Sequence, residues 1–143
     1  MISSIGCSLE KPAACRCPPP PAFAQQESAQ AKVGPGRVAT TLMRNGYTLQ
    51  LLVSPNRAAA PNSFALRLSR HGQPVRGADV TVQFSMLDME MPNQEYRLAE
   101  TSPGVYSRRA PALVMVCHWA LSFAITPKSA AAFTALVVDH ATG

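Results

Sequence analysis

Leu42-Met-Arg-Asn-Gly-Tyr-Thr-Leu-Gln-Leu-Leu-Val53, residues 42–53, decides the fold class. Asn45-Gly46 suits a two-residue hairpin turn, because both central positions of that turn need positive φ. Beyond it, Tyr47, Leu49, Leu51 and Val53 recur at every second position. A period of two buries one face of a strand, whereas a helix repeats at 3.6. Working outward, Phe64, Leu66 and Leu68 alternate with Arg67 and Ser69, and Val80, Val82, Phe84 and Met86 alternate with Asp79, Thr81, Gln83 and Ser85. Residues 55–61 and His71-Gly72-Gln73-Pro74 are loop and turn chemistry. Ser102-Pro103-Gly104 joins Tyr96-Arg97-Leu98 to Val105-Tyr106-Ser107 as a second hairpin. Leu113, Met115, Cys117, Trp119, Leu121, Phe123 and Ile125 predict one long strand with a single inward face, and a last strand runs from about Ala132 to Asp139. No long amphipathic helix competes. Seven or eight short strands spaced by turns predict an all-β chain, an immunoglobulin-like antiparallel β-sandwich, with a small barrel as the alternative.

At 143 residues and 47% hydrophobic composition, the chain has the length for one domain with a sizeable core. Ten of its thirteen basic residues are arginine, spread singly apart from Arg108-Arg109, and the net charge is +5. No basic run interleaves with aromatics, so nucleic acid is not expected as a partner. No stretch has the length and apolarity of a membrane span.

The first thirty residues differ from the rest. Residues 1–30 read as a signal-like or proline-rich disordered leader and linker, and residues 31–143 as the β domain. Ala22-Phe23-Ala24 places small residues where a signal peptidase cuts, but "EKPAACRCPPPP" ahead of it is broken by charge and proline. The expectation is export to the periplasm or another extracytoplasmic compartment, with an atypical leader. Cys7, Cys15 and Cys17 fall in this segment, leaving Cys117 alone in the body, where its place on a core face reads as an inert thiol.

Pro55…Asn62-Ser-Phe64-x-Leu66-x-Leu68, Gly72-Gln-Pro-Val75-x-Gly77-Ala78-x-Val80, Met86-Leu-Asp-Met-Glu-Met-Pro92, Pro103-Gly104-Val-Tyr106 and Met115-x-Cys117-x-Trp119-x-Leu121 follow one another in order. This series resembles the YtkA-like domain family, small exported or membrane-attached bacterial proteins related in pattern to FixH-like proteins, over about residues 38–139. The resemblance implies an extracytoplasmic module associated with copper handling or membrane-protein assembly, without catalysis. It also implies glycine at the position of Cys117.

The methionines offer candidate chemistry. Thioether sulfur is a soft, neutral ligand suited to Cu(I). Met86, Met89, Met91, Met115 and His118 are the candidate metal ligands, with Trp119 as a shield. Parity strains that set, since Met86 shares the core face while Met89 and Met91 have the opposite parity, and Met115 is expected inward where His118 points outward. The competing reading is packing: Met86 and Met115 as core filler, Met89 and Met91 capping one end, His118 at the surface, and His71 and His140 solvated. No nucleophile–base pair, phosphate loop or zinc motif appears, so neither an enzyme nor a small-molecule substrate is expected. The expected partner is a membrane or periplasmic protein, such as a transporter or oxidase subunit.

Overall fold

The computed structural model describes residues 29–33 and 36–142, with side chains from residue 36 onward. The leader and linker expected over residues 1–30, with Cys7, Cys15 and Cys17, lie outside the described residues except for Ala29 and Gln30, which open the first strand. Ten strands follow in order: β1 Ala29–Val33, β2 Val38–Arg44, β3 Tyr47–Ser54, β4 Asn62–Arg70, β5 Gln73–Pro74, β6 Asp79–Met86, β7 Gln94–Ser102, β8 Val105–Ala110, β9 Cys117–Thr126 and β10 Phe133–Ala141. No helix occurs among the described residues.

The strands hydrogen-bond in the order β1-β10-β9-β6-β7-β8-β4-β3-β2, with the short β5 on the end of β4. β1 pairs parallel with β10, and the other ladders are antiparallel. The all-β expectation holds, but the arrangement is barrel-like rather than clearly two separate sheets. β7 explains why. Its first half pairs with β6 (Val82↔Tyr96) and its second half with β8 (Glu100↔Tyr106), so one strand carries the ladder across both halves. Only Leu98 of β7 is buried, so no inward apolar row pins this strand to a single sheet. The path ends at β1 and β2, which lie beside each other.

The alternations become inward faces. Tyr47, Leu49, Leu51 and Val53 of β3, Phe64, Leu66 and Leu68 of β4, and Val80, Val82 and Phe84 of β6 are all buried. Asn45 and Gly46 take φ of 58° and 83°, so the hairpin between β2 and β3 has the primed turn that its sequence favours. Phe64 meets Phe84 edge-to-face with centroids 4.9 Å apart, and Trp119 is fully buried.

The expected strand from Leu113 to Ile125 is shorter. β9 starts only at Cys117, where φ is 97° and the backbone cannot continue a straight extended run backwards. Before it, the Val114 N–H closes a tight turn on the Ala112 carbonyl at 3.1 Å. Leu113 is still buried, but Met115 is exposed, which corrects its expected inward position.

One end of the molecule is laced shut. The Tyr106 hydroxyl donates to the Val75 carbonyl at 2.7 Å and accepts from the Ala78 N–H at 3.0 Å. Burial pushes its phenol pKa up. The Glu100 carboxylate accepts from the N–H groups of Gly77 at 3.1 Å and Gly104 at 3.2 Å. The Gly104 carbonyl takes the Leu68 N–H, and the Leu68 carbonyl takes the Val75 N–H. Gly104 sits at φ 76°, where a Cβ would lie 2.7 Å from the Pro74 Cβ. Gly72-Gln-Pro-Val75-x-Gly77-Ala78 and Pro103-Gly104-Val-Tyr106 therefore belong together physically: the second stretch supplies the tyrosine and the close approach that hold the first.

Candidate functional site

The opposite end collects the chemistry. β6 finishes there at Met86, β9 starts there at Cys117, and β10 finishes there at Ala141. Met86 lies opposite Trp119 in the β6–β9 ladder, half-buried on the core face. Leu87 prolongs the ladder by donating its N–H to the His118 carbonyl at 3.0 Å. The next residue then folds over β9. Asp88 accepts the His118 N–H on Oδ2 at 2.5 Å, and its Oδ1 lies 3.3 Å from His118 Nδ1. Both side chains are largely buried.

His118 pairs directly across the β9–β10 ladder with His140, and the two rings lie 4.5 Å apart at a tilt of 38°. His140 was expected to be solvated at a fraying end. It is instead half-buried within β10, because that strand continues to Ala141. Burial lowers its pKa, the neighbouring His118 lowers it further, and Asp88 partly opposes both.

On the inner face at the same level, Asp139 stands opposite Trp119 and is fully buried. Burial drives its carboxyl up to about 7, against the Asn56 side chain and the His140 N–H, which favour the ionised form. Neither carboxylate oxygen completes a hydrogen bond of ordinary geometry. Asn56 is also fully buried and at φ 56°. The loop that positions it is held by Asn62, which accepts the Arg57 N–H at 3.1 Å and donates to the Arg57 and Ala60 carbonyls at 2.9 and 3.0 Å. The same loop reaches the end of the chain through Ala58 N–H to the Thr142 carbonyl at 3.0 Å.

The five expected metal ligands do not assemble as one set. Met86 faces the core beside Trp119, and Met91 packs partly buried against the core. Met89 and Met115 are exposed, with the exposed Val114 and Val116 on either side of Met115. The Met115 carbonyl accepts the Trp119 indole N–H at 2.9 Å, which ties its segment to the start of β9. His118 is on the outer face with Asp88 and His140, away from Met86. Among the described residues, no group of three or more His, Cys, Asp or Glu side chains has a metal-holding arrangement. What the fold does bring to one corner is Met89, Met115, Asp88 and the two imidazoles.

Two features escaped the sequence reading. Asp88 and His140 join His118, and the buried Asn56–Asp139 pair lies beneath them. Asp139 carries a legible signal, since it has the inward parity of Ala135 and Val137. Cys117 also differs from the inert thiol expected: it is disulfide-bonded. No described helix is long and apolar enough to cross a membrane.

Comparison with curated proteins returned no match, and neither did comparison with solved structures. A family model, YtkA-like, matches residues 41–124, from the first hairpin to the penultimate strand. That match covers more than half of the chain and spans both the laced end and the Met86–Trp119 corner, so the protein belongs to the YtkA-like family.

Proposed function

We propose that this chain is a non-catalytic, extracytoplasmic accessory domain that docks a membrane-protein partner through the end bearing Asp88, Met89 and Met115. The observation that carries this reading is the exposure of Met89, Val114, Met115 and Val116 at 47, 37, 41 and 40% on one end of the fold. A cluster of partly exposed apolar side chains at one end of a fold suits a partner surface, and methionine adapts to varied partners. The export in this reading is supported by the family resemblance and the cleavage-like Ala22-Phe23-Ala24. Within this reading the fold is an immunoglobulin-like sandwich whose halves, β1-β10-β9-β6 and β8-β4-β3-β2, are joined by β7.

A photocrosslinking residue at position 116, compared with one at Gln73 on the laced end, tests docking in cells of the source organism. A discrete adduct from position 116 alone is expected. Equal labelling from both positions, or none from either, overturns the docking reading.

A second reading at the same end is Cu(I) binding, favoured by the contact between His118 and His140 at the end of the fold that also exposes Met89 and Met115. Met89, Met115, His118 and His140 are the residues that would hold the ion, and bound copper would be cargo for transfer. Anaerobic Cu(I) titration of the full chain against a competing chelator tests it. Tight binding that Met89→Leu/Met115→Leu loses, with folding unchanged because the swap conserves volume, supports copper handling. Binding indifferent to the substitutions leaves docking alone.

A further inference from the structure

The charges of this chain are segregated by strand. From Gly36 to Ala78 there is no acid, against Arg37, Arg44, Arg57, Arg67, Arg70 and Arg76. The described acids fall elsewhere and are mostly engaged. Asp79 pairs with Arg97, Asp88 holds His118, Glu100 caps backbone N–H groups and Asp139 is buried. Glu90 and Glu95 lie in and just after the loop that leads to β7. β2, β3 and β4 are sheet neighbours, and β8, which also lacks acids and carries Arg108 and Arg109, adjoins β4. The result is a continuous wall of four strands whose charged side chains are all positive.

The outward face of that wall is explicit in the register. Thr41, Gln50 and Arg67 form one row across β2, β3 and β4, and Arg109 stands outward opposite Ser63. Arg37 and Arg67 line a recess of about 220 Å³ that also includes Ala39 and Leu52. Neither arginine has a carboxylate partner among the described residues. Met43, the most exposed large apolar side chain described at 72%, projects from the same face opposite Thr48. No exposed aromatic accompanies it among the described residues, so the face lacks the stacking platforms that single-stranded nucleic acid uses.

We propose that this wall rests on an anionic lipid surface. The guanidinium groups meet headgroup phosphates, to which their planar forks are matched, and the recess between Arg37 and Arg67 seats one of them. Met43 enters the interface as an apolar anchor. A spread of single arginines on a broad strand wall fits a laterally distributed charge better than a compact anion. The electrostatic attraction of each basic residue to such a surface is additive and screened by salt. This inference uses no residue of the end assigned to docking, so each stands or falls by its own test.

Flotation of the full chain with phosphatidylcholine vesicles, with and without phosphatidylglycerol, tests the proposal at low and high salt. Binding is expected only to the phosphatidylglycerol vesicles, with release at high salt. Arg37→Gln/Arg67→Gln is expected to weaken it roughly tenfold or more. Arg67→Lys should retain most binding, and Glu95→Gln, away from the wall, should leave it unchanged. Both arginines are exposed, so unchanged melting of the variants separates lost binding from lost folding. Equal flotation with neutral vesicles, no flotation at all, or full binding by the double variant overturns the proposal.

Discussion

The two ends of this sheet are built on opposite principles. At the end of Gly77, Gly104 and Tyr106, polar groups are used up by the fold: a phenol and a carboxylate satisfy four backbone partners between them. At the end of Asp88, His118 and Asp139, the fold leaves chemistry over. A carboxyl is buried without complete hydrogen bonding, two imidazoles meet across a ladder, and four large apolar side chains face solvent. The first arrangement is what stability alone would select. The second carries a cost that stability does not explain, so function is sought there.

The largest expected effect comes from Asp139, and it is pH-dependent. Its folded carboxyl holds a proton to about pH 7, whereas an unfolded one releases it near 3.8. Between those values the native state binds more protons than the unfolded state, so this residue's contribution to stability falls as pH rises. The whole window amounts to up to about 4 kcal/mol. Asp139→Asn keeps shape and hydrogen-bonding capacity without the charge. It is expected to match the parent near pH 4 and to exceed it increasingly towards pH 8, read from urea midpoints. Trp119, the only tryptophan, lies directly across the ladder, so its fluorescence in the folded parent should titrate with a midpoint near 7 and stay flat in the variant. Parallel pH profiles for the two proteins would remove the contrast between the ends at this position.

The laced end is expected to break through geometry. Gly104→Ala puts a methyl group 2.7 Å from the Pro74 Cβ at a φ of 76°, adding overlap to backbone strain. A loss of about 3 kcal/mol is expected in chemical denaturation. Tyr106→Phe removes one donor and one acceptor while keeping the ring in place. It should cost about 1–2 kcal/mol and leave the Val75 carbonyl and Ala78 N–H to find water. If Tyr106→Phe were neutral, the hydrogen-bond lacing would be incidental and only the glycine packing would hold that end.

The strand faces and the first hairpin were legible because their signals are local, whereas the Tyr106 and Glu100 lacing was not. Asn45-Gly46 and the alternations in β3, β4 and β6 each specify a turn or a face within a few residues. The chemistry at the other end depends on register between distant segments. His118 and His140 are neighbours only because the β9–β10 hairpin pairs residue for residue from Phe133↔Ile125 to Ala141↔Cys117. That register depends on which residues the turn consumes, and composition does not fix it. Asp88 reaches His118 because the chain leaves β6 and folds back over a neighbouring strand, a tertiary event with no periodic trace. Met115 was misplaced for the opposite reason: its local alternation was sound, but one left-handed residue at Cys117 cut the strand.

Cys117 offers the smallest and sharpest test. Its φ of 97° lies where a side chain crowds its own backbone and glycine does not. The family resemblance puts glycine at this position, and the backbone supplies a reason: β9 must begin at a sharp change of direction before Trp119 enters the core. The disulfide-bonded cysteine holds the same conformation with a side chain present. Comparing Cys117→Gly with Cys117→Ala isolates the conformational part, since both variants lack the bond. Glycine is expected to be the more stable by about 1 kcal/mol despite its greater freedom in the unfolded chain. Elsewhere in a strand the order would reverse, because glycine is the poorer strand residue. If alanine proved equal or better, the turn at residue 117 would relax once the bond is removed. The Met115 segment could then rejoin β9 as the alternation from Leu113 predicts, and the exposed end would lose one of its methionines to the core.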